Sequence, residues 1–345
     1  MILYHSANYQ LNIFSLNNNE NHKYKSLFHI IDKTSTHMGK RLLKYILNNP
    51  STSVSVIEKR YMMIDNFIKS DNIDKFDKIL NEIIDFERMH RRMSLNVLHP
   101  YEFLNLTYSY GNILDLIDLV KNNLVLEDYN LDQDIIDNFK EYIDNYEQIF
   151  DLKEMGKYGL LNIYGSFFRK NNYIEIDELQ NNIDEINKFF EEEMKKLSNI
   201  AEKNSDFVKR EYTDRDGYFL YITKKRSELL LKNLGNDHEY VIKKYTGTNV
   251  KIVSDEISRF SDKLVKLKEE IKVITKEKYI FLLSEIYNKY KDTFIKLSDF
   301  VSYLDFIKSG AKCALLYNYN KPEIKDYYDK KSFLKTKEIR HPIIE

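Results

Sequence analysis

Two stretches of the chain repeat apolar residues in alternating steps of three and four. Ile176, Leu179, Ile183, Ile186, Phe190 and Leu197 follow the pattern, with Glu193 its one interruption. Ile257, Phe260, Leu264, Leu267, Ile271 and Ile274 follow it without a break. A spacing of 3.5 residues puts such side chains on one helical stripe, the seam along which two helices coil together. Each helix alone would expose a greasy stripe to water, so the two are expected to pack antiparallel. The second has a start signal: Ser254, then Asp255 and Glu256, whose charges suit a helix N-terminus. A helix from 176 to about 204 would be roughly 43 Å long at 1.5 Å per residue.

Between the seams the texture changes. Segments 207–209, 217–223, 240–245 and 249–253 are rich in β-branched and aromatic residues, and acidic or Gly-containing turns separate them. The expected fold is therefore mainly α: a helical core and a long antiparallel coiled-coil arm with a small β-sheet at its tip. Scarce breakers agree, since 345 residues contain only 9 glycines and 4 prolines. Helices are expected over 40–47, from a Ser53 cap through Ile57, Tyr61, Ile64 and Ile68, over 85–95, over 131–150, and over 292–318. Segment 156–173 gathers Gly156, Gly159 and Gly165 and is expected to be irregular. Residues 9–16 alternate polar and apolar and suggest a short strand before the Asn-rich loop 17–21. Residues 333–345 suggest a strand that opens a further unit.

Several chemistries are excluded. A single cysteine, Cys313, rules out a disulfide framework and a cysteine-based zinc site. His5, His22, His29, His37, His90, His99, His238 and His341 include no His-x-x-x-His pair. No glycine-rich phosphate loop and no nucleophile elbow occurs. Carboxylates such as Glu191, Glu192 and Glu193 lie on a polar helix face and read as solvated. By itself the chain is expected to catalyse nothing and to hold no cofactor or metal. The N-terminus lacks the pattern of a signal peptide. Apolar windows such as 279–283 end well before the roughly 20 residues of a membrane span. The chain is expected to be intracellular, with no membrane partner.

Basic charge concentrates between the seams. Lys209, Arg210, Arg215, Lys224, Lys225, Arg226, Lys232, Lys243, Lys244 and Lys251 outnumber Glu211, Asp214, Asp216, Glu228, Asp237 and Glu239, a local balance of +4 in a chain of formal net charge −1. Tyr212, Tyr218, Phe219, Tyr221 and Tyr245 interleave with them. A basic sheet at the tip of an arm suits a phosphate backbone, which point charges grip without reading sequence. The competing reading is a solvated surface whose lysines protect sheet edges.

Asp85-Phe86-Glu87-Arg88-Met89-His90-Arg91-Arg92-Met93-Ser94 resembles the Asp-Leu-Glu-Arg-Leu-x-x-Arg-Ile-Ser segment of the MutS family of DNA mismatch-repair ATPases. Lys33-Thr34-Ser35-Thr36-His37-Met38-Gly39-Lys40-Arg41-Leu42-Leu43 resembles the family's Thr-x-Thr-x-Met-Gly-x-Arg-Leu-Leu. Ile176-Asp177-Glu178-Leu179 and Gly217-Tyr218-Phe219-Leu220-Tyr221-Ile222-Thr223-Lys224 are similar to its lever foot and clamp strand. Tyr303-Leu304-Asp305, Tyr319-Asn320-Lys321-Pro322-Glu323-Ile324 and Arg340-His341-Pro342-Ile343-Ile344-Glu345 follow in the same order, at its last core helix and the opening of its ATPase domain. Each motif is weak alone; their order across the chain is not.

The resemblance implies a helical core over 1–175, lever helices over 176–290 with an inserted clamp that is β-rich over 205–253, further core over 291–332, and the first strand of an ATPase domain over 333–345. The mismatch-reading and connector domains, and any Walker A, are expected to be missing from this stretch. The implied function is that of the DNA-clamping core of a MutS-like mismatch-repair protein, which grips duplex DNA and relays its state to the ATPase domain. ATP and Mg2+ would belong to the full-length family. The implied partners are double-stranded DNA and a second MutS-like subunit, identical or not. The DNA-contact candidates are Lys209, Arg210, Arg215, Lys224, Lys225, Arg226, Lys243, Lys244 and Lys251. Alternatives are a MutS homologue that embraces branched DNA without reading mismatches, and a coiled-coil scaffold for proteins. Asp214-Arg215-Asp216 and the long stretch 224–244 depart from the bacterial clamp and lean toward a eukaryotic or giant-virus branch. Arg88 and Arg92 read more readily as helix braces than as parts of a relay. No catalysis is expected of His341.

Overall fold

The computed structural model describes residues 5–14, 26–123, 126, 129–235, 238–325 and 333–344. It is mainly helical, with one four-stranded antiparallel sheet. The chain forms two compact units, Met1–Asn145 with Leu283–Glu345, and Tyr146–Leu282. The Asn-rich loop expected over 17–21 lies outside the described residues.

The first unit holds α1 (His5–Gln10), α2 (Leu27–Ile31), α3 (His37–Asn48), α4 (Val54–Lys69), α5 (Ile73–Asn81), α6 (Phe86–Ser94), α7 (Pro100–Lys121) and most of α8 (Gln133–Ile149). Phe67, Phe76, Phe86, Phe103, Tyr110, Phe139 and Tyr142 fill its interior. Ser53 and Asp85 stand at helix starts as expected, and Asp85 caps α6 by accepting from the Arg88 amide at 3.2 Å, while Pro100 opens α7.

Two distant segments are tied by a fully buried carboxylate. Asp305 accepts from the amides of Ser35 at 3.0 Å and Thr36 at 2.8 Å, and from the Thr36 hydroxyl at 2.8 Å. The Thr36 hydroxyl in turn accepts from the Gly39 amide at 2.9 Å and caps α3. A Cβ on Gly39 would stand 2.2 Å from Asp305 Oδ2, so only glycine fits beside this carboxylate. Fully buried Lys308 balances the charge at 3.0 Å from Asp305 and donates to the Lys33 carbonyl, the Ser35 hydroxyl and Asp77. Buried charges persist only when paired and hydrogen-bonded in this way. A second tie is Arg41, whose guanidinium grips both Asp85 oxygens at 2.7 and 2.8 Å and Glu87 at 2.7 Å. Burial would raise the Asp85 carboxyl, but the Arg41 bonds overcome it and hold it below its ordinary range. Arg92 braces Glu102 at 2.8 Å, and Glu102 also takes the His99 amide at the start of α7. Arg88, for which a brace was expected, is exposed and makes no salt bridge among the described residues.

His90 is a buried histidine of this unit. It stacks on Phe294 at 3.8 Å, and Nε2 meets the Tyr110 hydroxyl at 2.7 Å. Burial holds its imidazolium form down to about 3, against an ordinary 6.5. The unfolded chain therefore takes a proton below pH 6.5 that the folded chain refuses. Stability is complete above that pH and falls as pH drops, by about 1.4 kcal/mol per unit. Between pH 6.5 and 5 the loss should reach about 2 kcal/mol, since the depressed Asp32, Asp77 and Asp85 titrate only lower. Denaturant titrations of wild type and His90→Phe at both pH values should show this loss in the wild type alone. An equal loss in both would refute it.

The second unit holds α9 (Leu152–Met155), α10 (Ile174–Ala201), β1 (Lys209–Thr213), β2 (Gly217–Thr223), α11 (Lys224–Leu234), β3 (Val241–Lys244), β4 (Asn249–Val253) and the first part of α12 (Asp255–Tyr317). Residues 156–173 are irregular, as their glycines suggested. Ser254 starts α12 by accepting from the Ile257 amide at 3.1 Å. Phe189 of α10 lies against Phe260 of α12, the tilted rings 4.3 Å apart, and Glu175 pairs with Lys278 at 3.1 Å. Partner numbers fall on one helix as they rise on the other, so the two run antiparallel. Ile176, Ile183, Ile186, Phe190 and Leu197 are buried, as are Ile257, Leu264, Leu267 and Ile271. Ser261 and Thr275 are buried too, while Phe260 and Ile274 are half-buried. The stripe on α12 thus drifts from the 3.5 repeat toward the 3.6 of a straight helix.

The sheet order is β1-β2-β4-β3. Leu220, Ile222, Val250 and Ile252 form its buried face. Gly217 sets it against α12: its φ of +66° suits glycine, and a Cβ there would lie 2.6 Å from Ser261 Oγ, which accepts from the Tyr218 amide at 2.8 Å.

Two expected strands are absent from the described residues. Residues 9–14 are not a strand: α1 ends at Gln10 and the chain turns at Asn12, whose φ is +47°; positions 15 and 16 of the expected strand lie outside the described residues. Local bonds from the Leu11 amide to Ala7 and from the Ile13 amide to Asn8 satisfy the backbone, where a strand would need a neighbour. Residues 333–344 form no strand either, for the same want of a neighbour; instead Arg340 donates to the Tyr317 and Asn318 carbonyls at the end of α12. The helix expected over 292–318 is present and ends at Tyr317, as the last part of the 63-residue α12. Lastly, β2 leads into a helix, α11, that the strand-rich texture concealed.

Candidate nucleic-acid interface

Cross-strand register decides which cations share a face, because directly paired residues point the same way. Lys209 pairs with Tyr221, Tyr221 with Lys251, and Lys251 with Lys243, so one row crosses the sheet as Lys-Tyr-Lys-Lys. Arg210 pairs with Leu220, on the other face, and Lys244 pairs with Val250 there. The nine candidates are therefore split between two faces, the β1–β2 turn and α11.

Three of them are occupied internally. Lys251 is only 9% exposed; it donates to Asp216 at 2.7 Å and lies over the rings of Phe219 at 3.7 Å and Tyr245 at 4.7 Å. The Lys251 bond outweighs the small cost of burial and holds Asp216 below the usual carboxylate range. Arg210 donates to Asn187 at 2.8 Å and stacks over Phe190 and Tyr218. Arg226 sits 3.4 Å over the Phe207 ring. These cations build the sheet and its seat rather than standing free for a ligand.

The other six, Lys209, Arg215, Lys224, Lys225, Lys243 and Lys244, are exposed. None makes a salt bridge among the described residues. Lys224 and Lys225 occupy the first turn of α11, which has no acidic residue there and no side-chain cap from Thr223. The Lys224 amide donates to the Thr248 carbonyl at 2.9 Å, but cations at the positive end of a helix dipole are locally unfavourable, and an anion placed there would relieve the repulsion. Lys209, Lys243 and Lys244 lie on the edge strands β1 and β3, where lysine also blocks strand addition. The arrangement can hold an extended polyanion by point charges. Among the described residues no group of three or more His, Cys, Asp or Glu could hold a metal ion, and no helix is long and apolar enough to cross a membrane.

The family model for MutS domain III matches residues 6–311. The chain belongs to the MutS family. It is 30% identical to a mutS homolog of Acanthamoeba polyphaga mimivirus, covering 100% of this chain and 33% of that one. It is 28% identical to the mitochondrial DNA mismatch repair protein mutS homolog of Sarcophyton glaucum, over 100% of this chain and 35% of the relative. It is 27% identical to the DNA mismatch repair protein MutS of Clostridioides difficile, over 99% and 36%. The chain thus spans about a third of the length of these curated relatives. The MutS-like motifs also meet in space. Asp305 of the Tyr-Leu-Asp motif binds the Thr-x-Thr-x-Met-Gly loop, and Arg41 of that loop's helix grips Asp85 and Glu87 of the Asp-x-Glu-Arg segment.

Proposed function

We propose that this chain is the DNA-embracing core of a MutS-like mismatch-repair protein, with a coiled-coil lever and a clamp that grips duplex DNA through its phosphates. The observation that carries the reading is the set of six exposed cations, unpaired among the described residues, on the clamp sheet and the uncapped start of α11. Point charges of this kind give sequence-independent, salt-sensitive affinity. In the full-length protein the helical core would relay the state of the DNA to an ATPase domain using ATP and Mg2+, and a second MutS-like subunit would supply the opposing arm.

Lys224→Glu, Lys225→Glu and Lys243→Glu together should weaken duplex binding on the order of tenfold at low salt. The slope of log affinity against log salt should flatten by roughly 0.9 for each phosphate that is no longer neutralised. Matched and mismatched duplexes should suffer alike, because the phosphate backbone carries no base information. Fluorescence anisotropy over a salt series measures this. Undiminished binding by the triple variant would place the DNA-binding surface elsewhere. Failure of the wild type to bind at low salt would favour the scaffold reading.

A further inference from the structure

The sheet face opposite Lys209 and Lys243 borders a cleft of about 510 Å³. Its walls are the irregular segment around 157–164, the paired Tyr212 and Tyr218 of β1 and β2, and one face of α12 from Val265 to Lys272. The duplex-contact cations do not line it.

The aromatic side is prepared. Tyr164 and Tyr212 leave 56% and 45% of their surface in solvent, although exposed rings forgo hydrophobic burial. Both are held in place: Tyr164 lies edge-on to Tyr158 at 5.1 Å, and Tyr212 lies against Tyr218 at 4.8 Å. Tyr218 is itself fixed, its hydroxyl accepting from Lys268 at 2.8 Å and its ring lying under the Arg210 guanidinium at 5.6 Å. Rings ordered in advance lose little entropy when something stacks on them.

The cationic side is Lys157, Lys268 and Lys272, against one lining acid, Glu269. Lys272 reaches Glu269 at 3.4 Å and Lys157 reaches Glu154 outside the cleft. Lys268 has only the neutral Tyr218 hydroxyl as a hydrogen-bond acceptor, and no carboxylate neutralises it within salt-bridge range among the described residues. Asn162 adds an amide to the lining, able to donate and accept at once. A purely apolar ligand would leave the Lys268 ammonium without a counter-charge, and a bare anion would leave the tyrosines unused. A flat ring carrying an anion satisfies both walls.

We propose that this cleft binds an unstacked nucleobase together with its phosphate, the base against Tyr164 and Tyr212 and the phosphate against Lys268 and Lys272. Aromatic platforms beside lysines are how single-stranded nucleic acid is held without sequence preference. The volume lies within the range of small-ligand sites. The ligand is a nucleotide unit, either within a single strand or free.

The chain contains no tryptophan, so Tyr164→Trp gives the full chain one indole reporter at the cleft. Its emission is followed while a short oligothymidylate, or thymidine monophosphate, is added. Saturable quenching by the oligomer alone assigns the site to a single strand; quenching by both assigns it to the nucleotide unit. Lys268→Met in the same background should weaken the response roughly tenfold. Labelled-oligomer anisotropy on Tyr212→Ala, which keeps Tyr164, should fall roughly ten- to a hundredfold in affinity. The Lys224, Lys225 and Lys243 triple variant should leave the quenching unchanged while losing duplex binding, so failure here and failure of the duplex reading are distinguishable. Absence of quenching by either probe, quenching indifferent to Lys268→Met, or oligomer affinity indifferent to Tyr212→Ala overturns the proposal.

Discussion

Replacing Asp305 with alanine is expected to destabilise the first unit by about 3–5 kcal/mol, a large part of the stability of a typical domain. The change strips Lys308, which is fully buried, of its one fully buried counter-charge, leaving it Asp77 alone, and leaves the Ser35 and Thr36 amides without their acceptor. Each stranded polar group carries its own desolvation cost of about 1–3 kcal/mol. Asp305→Leu combined with Lys308→Met should be milder than either single loss, because removing both charges leaves no uncompensated buried ammonium or carboxylate at the tie, although the Ser35 and Thr36 amides still lose their acceptor. Hydrogen exchange of α3 amides under mild denaturant reports on this unit specifically. A single variant within about 1 kcal/mol of wild type would show that the tie contributes little.

The second large effect is expected in the arm. Ile183 and Leu267 are 3% and 8% exposed on the facing stripes of α10 and α12. Ile183→Asp with Leu267→Asp would place two carboxylates in an apolar seam with no partner, at a cost of several kcal/mol. Protease protection across 200–255 should be lost, because the sheet rests on α12 through Gly217 and Ser261. Amides of α3 and α7, in the other unit, should stay protected. Unchanged protection of 200–255 in the double variant would mean that the two stripes do not hold the arm.

The antiparallel pairing of α10 with α12 was legible because one periodicity dominated both segments, yet the residues that meet along it were not. Phe260 and Ile274 fit a strict 3.5 repeat, but Ser261 and Thr275 take the buried positions, since a long helix keeps close to 3.6 residues per turn. Helix α11 was hidden because Lys224, Lys225 and Arg226 oppose the helix dipole and so reverse the usual start signal. The strand expected at 9–16 failed because alternation specifies a strand only where a neighbour can take its hydrogen bonds. The basic concentration at the sheet was visible in composition. Which cations were already engaged was not, since Asp216, Asn187 and Phe207 reach Lys251, Arg210 and Arg226 only through the fold. The MutS-like motifs were readable as text; that one carboxylate, Asp305, and one guanidinium, Arg41, join them was a matter of three dimensions.

The tie from Ser35 and Thr36 to Asp305 spans a sequence separation of 270 residues, and the whole second unit lies between its ends. During synthesis the first unit cannot close until that insertion has left the ribosome. At 5–20 residues per second, the roughly 140 intervening residues take on the order of 7–30 s. Through that interval α3 to α7 lack the part of α12 that carries Phe294, Asp305 and Lys308, so their apolar faces stay open to solvent or to a chaperone. The inserted unit has no such wait for most of its length, and the birth order of the two is set: the inner unit matures first, and the N-terminal helices are the last to find their place.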